Sequence, residues 1–212
     1  MKLVVSCCEL GPLPTNCYVV LDSQSGKSFV VDPAVYDSSL VQSLRKLQIR
    51  QLDYILLTHG HYDHMLGVHT LRENYGGKLV IHADEEAFLS DTRLSLAHGL
   101  FSHLHSGEAA DMIVRDGDTL PFGSGEIRVL HTPGHTRGSV CYLLDDLMFS
   151  GDTVFRESIG RVDLPTGSIG QMRHSLRRIA ALKEDYKLFP GHGEATTLVH
   201  ERNFNPYFEI AL

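Results

Sequence analysis

The chain has no surplus of positive charge. Nineteen Lys and Arg stand against 26 Asp and Glu, a net charge of −7. A nucleic-acid partner calls for a basic face, so DNA and RNA are not expected as partners. No apolar run approaches the ~20 residues that a membrane helix needs, so no membrane partner is expected either. Residues 2–8 hold one Lys and an apolar stretch too short for a secretory core of ~7–15 residues, and they read as a first strand. Cysteine is scarce: Cys7, Cys8, Cys17 and Cys141, with no C-x-x-C pair. A chain of 212 residues can bury a core without disulfides. The cysteines therefore read as small hydrophobes in a reducing, cytoplasmic setting. No Ser/Gly linker and no fixed-period repeat breaks the sequence, so residues 1–212 read as a single domain. Hydrophobic residues at 42% and charged residues at 21% are ordinary globular usage, which excludes a disordered chain.

Histidine is what the chain has in excess. There are thirteen, more than twice the six lysines. Histidine is the commonest metal ligand and a frequent acid/base group, so its surplus directs the search for function.

Val-rich runs at 2–8, 16–21 and 27–31, separated by turn residues, read as strands. Leu40, Val41, Leu44 and Leu47 give one apolar face to a helix capped by Ser38 or Ser39. A buried strand at 53–57, a helix at 64–75, a strand at 78–82 and a short helix at 83–89 follow. Later strands are expected at 126–131, 140–144, 147–150 and 186–189. Helices are expected at 168–182, with Ile169, Met172, Leu176 and Ile179 on one face, and at 196–203. Mixed strands and helices on this scale suggest two sheets with helices outside them.

The strongest local signal is His59-x-His61-x-Asp63-His64, directly after an apolar strand. Where a strand ends the chain turns, so these side chains can converge instead of alternating outward. Three imidazoles and a carboxylate within six residues exceed what one metal needs from one loop, which points to two metals. His135, Asp152 and His192 each follow a glycine in a turn after a strand. Glycine permits tight backbone there, so the next side chain can be aimed into a cleft.

The set His59, His61, Asp63, His64, His135, Asp152 and His192 resembles the metallo-β-lactamase superfamily in order and spacing. The resemblance implies an α/β fold: a four-layer αββα sandwich of two mixed β-sheets with outer helices and the metals at one edge. It implies that His59, His61 and His135 hold a first ion, that Asp63, His64 and His192 hold a second, and that Asp152 bridges them. It places Asp32 behind the ligands as a support. Zinc is the leading candidate for the two divalent ions; iron or manganese also suit these ligands. Asp152 separates the chain from the true β-lactamases, which lack a carboxylate bridge there, and His61 separates it from the flavodiiron reductases.

Water held between two cations loses a proton near neutral pH and can attack an acyl carbonyl. The segment Ser158-Ile159-Gly160-Arg161-Val162-Asp163-Leu164-Pro165 and the ending Pro190-Gly191-His192-Gly193 resemble the short bacterial form of glyoxalase II-type thioester hydrolases. The implied activity is that of a hydroxyacylglutathione hydrolase. Its small-molecule substrate would be S-D-lactoylglutathione or a related hydroxyacyl thioester, released as D-lactate and thiol. Asp63 and Asp152 are the expected catalytic carboxylates, and Arg161 is a candidate substrate contact. The chain ends too soon after His192 for the helical extension with which longer relatives hold glutathione, so another thiol is an open alternative. Residues 83–111 are a candidate substrate wall, with Phe88, Leu100, Phe101, His103 and His105 on it. A mononuclear-iron persulfide dioxygenase, a lactonase and a non-catalytic metal-binding module are the competing readings. The oligomeric state is left open.

Overall fold

The computed structural model describes residues 1–97 and 108–211. Leu100, Phe101, His103 and His105 lie outside the described residues.

Among the described residues, twelve strands form two six-stranded sheets. The first runs β1 (Leu3–Leu10), β2 (Thr15–Asp22), β3 (Ser28–Val31), β4 (Tyr54–Leu56), β5 (Lys78–His82) and β6 (Met112–Val114). The second contains β7 (Thr119–Phe122), β8 (Gly125–His131), β9 (Val140–Leu144), β10 (Leu147–Gly151), β13 (Lys187–Pro190) and β14 (Thr196–Thr197). Its order is β14-β13-β10-β9-β8-β7. A two-stranded ribbon joins β11 (Val154–Phe155) to β12 (Ser158–Ile159). Both sheets are mixed: β3 to β6 run parallel, as do β10 and β13, while the other pairs are antiparallel.

Strand alternation builds the layers. Tyr18, Val20, Phe29, Val31, Leu56 and Val80 point inward from the first sheet, against Phe122, Val129, Tyr142, Leu144 and Phe149 of the second. The intervening Cys17, Val19 and Val30 point outward, where α1 (Ser38–Lys46) and α3 (Val68–Tyr75) cover them with Leu40, Leu44, Val68 and Leu71. On the far side Cys141, Leu143 and Met148 meet Met172, Leu176 and Ile179 of α4 (Ile169–Ala180). Leu198 of α5 (Leu198–Phe204) and Phe208 of α6 (Pro206–Ala211) complete that layer. Strands covered on both faces read as continuous apolar runs, so these were easy to place from sequence. The result is the expected αββα sandwich.

Local differences have physical causes. The segment expected as one helix at 64–75 is two: α2 (Tyr62–Met65) and α3. Gly67 stands between them and donates its N–H to the Pro33 carbonyl at 2.8 Å. A Cβ on Gly67 would lie 2.4 Å from that oxygen, so the chain bends where it touches the loop after β3. Asp37, not Ser38 or Ser39, caps α1, accepting from the N–H groups of Ser39 and Leu40. Ile169 is 45% exposed and leaves the apolar face of α4. The strand β7 carries Pro121 and lies at a sheet edge, where a missing N–H costs no ladder bond. That proline concealed it in the sequence. No described helix is long and apolar enough to cross a membrane.

Phe149 occupies the middle of the interface between the sheets, its ring 5.5 Å from Tyr18, 5.8 Å from Phe29 and 5.4 Å from Phe189. Truncation leaves a cavity that β-strands cannot collapse to fill. Phe149→Ala is expected to lower the unfolding free energy by about 3–5 kcal/mol, read from urea denaturation.

Candidate metal centre

Strand direction gathers the site. The ends of β3, β4 and β5 emerge at one edge of the first sheet, and the start of antiparallel β2 lies beside them. In the second sheet β10 and β13 are parallel, and β8 runs the same way because β9 reverses between β8 and β10. The loops after β4, β8, β10 and β13 carry His59 to His64, His135, Asp152 and His192 respectively. The two edges are tied together. Asn16, opening β2, donates from its backbone N to the Gly191 carbonyl at 2.7 Å and from its side chain to Pro190 and Gly193. The Tyr18 hydroxyl donates to the Pro190 carbonyl at 2.6 Å.

All seven sequence-predicted ligands come together here. His59, His61 and His135 form one cluster, and Asp63, His64 and His192 a second, with ligand atoms within 4.8 Å of one another in each. Asp152 lies between them. Its Oδ1 is 3.6 Å from His64 Nε2; its Oδ2 is 3.5 Å from His135 Nε2 and 3.6 Å from His192 Nε2. Gly151 makes this placement feasible: its φ is +48°, and a Cβ there would lie 2.4 Å from Thr58 Oγ1.

The outer atoms fix the ring tautomers. His135 Nδ1 donates to the Arg161 carbonyl at 2.8 Å, and His192 Nδ1 to the Pro14 carbonyl at 3.3 Å. His64 Nδ1 donates to Asp32 Oδ2 at 2.9 Å. Thr58 gives its hydroxyl proton to Asp32 and so accepts from His59 Nδ1 at 3.1 Å. Each of these four rings therefore turns Nε2 inward, the arrangement that supporting partners impose on metal-bound histidine, and His135 Nε2 lies 2.9 Å from His61 Nδ1. Among the described residues, the buried side-chain atoms without a hydrogen-bond partner are His59 Nε2, His61 Nε2, His64 Nε2 and Asp152 Oδ1. Buried polar atoms normally find partners. Separations of 3.5–3.6 Å match the roughly 3.4 Å between two ligands each about 2.1 Å from one tetrahedral ion. The residues fit a pair of metal ions.

Electrostatics divides the halves. Burial, reinforced by the neighbouring imidazoles, holds His59 well below its ordinary value and pushes His61 down to about 3. Both are then neutral, as a ligand must be. Burial also opposes charge on His64, but the carboxylates of Asp63, Asp152 and Asp32 outweigh it and raise the group to about 10. Burial disfavours the Asp63 charge as well, yet His64 and His192 keep that carboxylate below its usual range. A cation in this half must displace protons, so its binding depends on pH.

Two supports were invisible locally in the sequence. Asn16 is one. Glu85 is the other: fully buried in the 3-10 turn Ala83–Leu89, it accepts from Gly60 N at 2.8 Å and from Gly138 N at 2.9 Å. It thus clamps the loop between His59 and His61 to the loop after His135, joining the two sheets behind the first cluster. Burial lifts its carboxyl to about 7, against the pull of those N–H groups. Phe88, from the same turn, is buried with its ring 6.2 Å from His61. Asp32 supports His64 as the resemblance implied. Arg161 is paired on one side of its guanidinium: Nε and a terminal nitrogen each donate to Asp163 at 2.8 Å.

Residues 10–192 match the metallo-beta-lactamase superfamily. The chain belongs to that superfamily. It is 32% identical to a probable metallo-hydrolase of Streptococcus pyogenes, over 91% of this chain and 85% of the relative. The crystal structure of the BLEG-1 B3 metallo-beta-lactamase is similar at a TM-score of 0.88 and 32% identity, covering 97% of this chain and 99% of that one. TTHA1623, solved in a di-iron-bound form, is similar at a TM-score of 0.82 and 31% identity, covering 96% and 100%. As a superfamily member the chain is a metallo-hydrolase; the superfamily binds a dinuclear metal site, and His/Asp clusters that could hold metal ions are present here.

A third group, His82, Asp84 and His131, is of another kind. The two rings stack in parallel, 4.2 Å apart and 12° from coplanar orientation. Ring lone pairs lie in the ring plane, so stacked rings cannot aim at one ion. Burial first, then His131, pushes His82 down to about 4. The unfolded chain takes up a proton here near pH 6.5 and the folded one does not. Stability from the neutral His82 is present above pH 6.5 and is lost as pH falls toward 4. His82→Asn is expected to reduce the drop in urea midpoint between pH 7 and pH 5. For Glu85→Gln, the amide can accept from one N–H but opposes the other with its own. Metal affinity of the three-histidine cluster should fall roughly 10–100-fold, the scale of outer-shell supports. Chelator competition and the absorption spectrum of cobalt in that cluster would read this. An equal loss at both clusters would mark Glu85 as general scaffolding.

Proposed function

We propose that this superfamily member hydrolyses acyl thioesters, the reaction of the glyoxalase II-type enzymes that its segments at 158–165 and 190–193 resemble. The observation that carries the reading is Asp152, whose two oxygens face both histidine clusters at 3.5–3.6 Å. Bound there, two divalent cations would supply a water of lowered pKa and polarise an acyl carbonyl. His59, His61 and His135 would hold the first ion, Asp63, His64 and His192 the second, and Asp152 both. The carboxylates of Asp63 and Asp152 would offset part of the cationic charge. Thr15 donates its hydroxyl to Asp63 at 3.2 Å and fixes that carboxylate.

A cavity of about 490 Å³ opens over the centre, walled by His61, Asp63, His135, Asp152 and His192. Tyr62, also on the wall, is raised above its ordinary value by burial and keeps its proton. A phenol raised in this way is a weaker acid, and Tyr62 carries the one hydroxyl among the described wall residues. That favours thiols, which depart as thiolates far more readily than amines. In the net reaction the acyl–sulfur bond breaks, the acyl carbon gains the oxygen of water, and the thiol leaves with a proton.

The test is metal analysis of the purified protein combined with hydrolysis of a panel containing thioesters, a lactone and a β-lactam. Two ions per chain with thioester turnover is expected. One iron per chain with persulfide-dependent oxygen uptake would overturn the reading. Asp152→Ala is expected to lose at least one ion and at least about 100-fold in rate. Wild-type turnover with both ions retained would remove Asp152 from its bridging role.

A further inference from the structure

We infer that the mouth of this site selects a ligand whose variable portion is uncharged and apolar, and disfavours conjugates of a carboxylate-bearing thiol such as glutathione. The inference rests on the hydrolase reading for its location and sharpens its substrate class. The ligand atoms occupy the floor of the cavity. The remaining wall is Leu13, Tyr62, Leu96, Phe155, Leu164 and Arg161. Four of these six are aliphatic or phenyl side chains. Leu13 stands 47% exposed in the turn between β1 and β2, an apolar group held in water at the rim. Leu96 adopts φ +62°, a backbone conformation unfavourable for leucine, at its place on the wall. Apolar walls around a few convergent polar groups are the usual build of a small-ligand site.

Charge points the same way. Arg161 is the one Lys or Arg on the described wall, and both oxygens of Asp163 take the Nε side of its guanidinium. Arg161 is held in the charged form by that bond, and the pair sums to zero. Asp163 thus competes with a substrate carboxylate for this guanidinium and offsets its charge. Arg156, next to Phe155, is bonded to Glu194 at 2.8 Å. Glutathione carries two carboxylates and one ammonium, and a chain of net charge −7 gives it no long-range attraction.

The metal-loaded protein is assayed with acetyl, butyryl and hexanoyl thioesters of N-acetylcysteamine and with S-D-lactoylglutathione. Binding of the inert thioethers S-hexyl-N-acetylcysteamine and S-hexylglutathione is measured in parallel by calorimetry. Each added methylene is expected to raise kcat/KM by up to about fourfold. S-hexyl-N-acetylcysteamine should bind at least tenfold tighter than S-hexylglutathione. Asp163→Asn, which releases Arg161, should narrow that gap, and Leu13→Lys should narrow it independently. Equal or preferential binding and turnover of the glutathione compounds, with a flat response to chain length, would overturn the inference while leaving a thioester hydrolase in place. Preferential binding of the neutral thioether with no thioester turned over would uphold the apolar mouth and reject the hydrolase reading instead.

Discussion

Burying imidazole nitrogens and carboxylate oxygens side by side, with nothing in the fold to bond them, is the constraint on which this structure turns. His59, His64 and Asp152 each hold an unpartnered buried atom at this centre, and His61 sets its Nδ1 2.9 Å from His135 Nε2. Such atoms are costly when left alone, so the arrangement persists only because other parts of the chain enforce it. Both sheets take part. The Asp32 carboxylate locks Thr58 and His64, and the Arg161 carbonyl locks His135. Asn16 and Tyr18 pin the loop that carries His192. Glu85 ties the first sheet's loop to the second's.

These ties explain why the site lies where the layers end. Between the sheets the core is aromatic and closed, with Phe29, Phe149 and Tyr142 wholly buried. At the edge the strands stop, glycine-bearing turns begin, and polar groups can converge without crossing the apolar layer. Function is thus concentrated where the packing cannot be completed by hydrocarbon. The same edge leaves Leu13, Leu96, Phe155 and Leu164 around the opening, so the chemistry and its selectivity come from neighbouring loops of one rim.

The ligand set was legible because ligands must be specific residue types, and four of them fall within six positions directly after a buried strand. The buried strands were legible for a related reason, since coverage on both faces demands continuous apolar residues. Other parts were concealed. β7 contains a proline, β14 is two residues long, and the break at Gly67 depends on a contact with Pro33 more than thirty positions away. Glu85 and Asn16 resemble surface residues when read locally; their burial follows from partners 25 to 177 positions distant.

Sequence by itself determined which side chains can bind metal, how the strands are covered, and that the chain carries no basic surplus for nucleic acid. Those properties reside in residue type and short-range order. Only the tertiary structure decided which nitrogen of the supported rings faces inward, that Asp152 faces both clusters, and that Arg161 pairs with Asp163. These are matters of distance and direction between loops of two separate sheets, and short-range sequence order does not encode them.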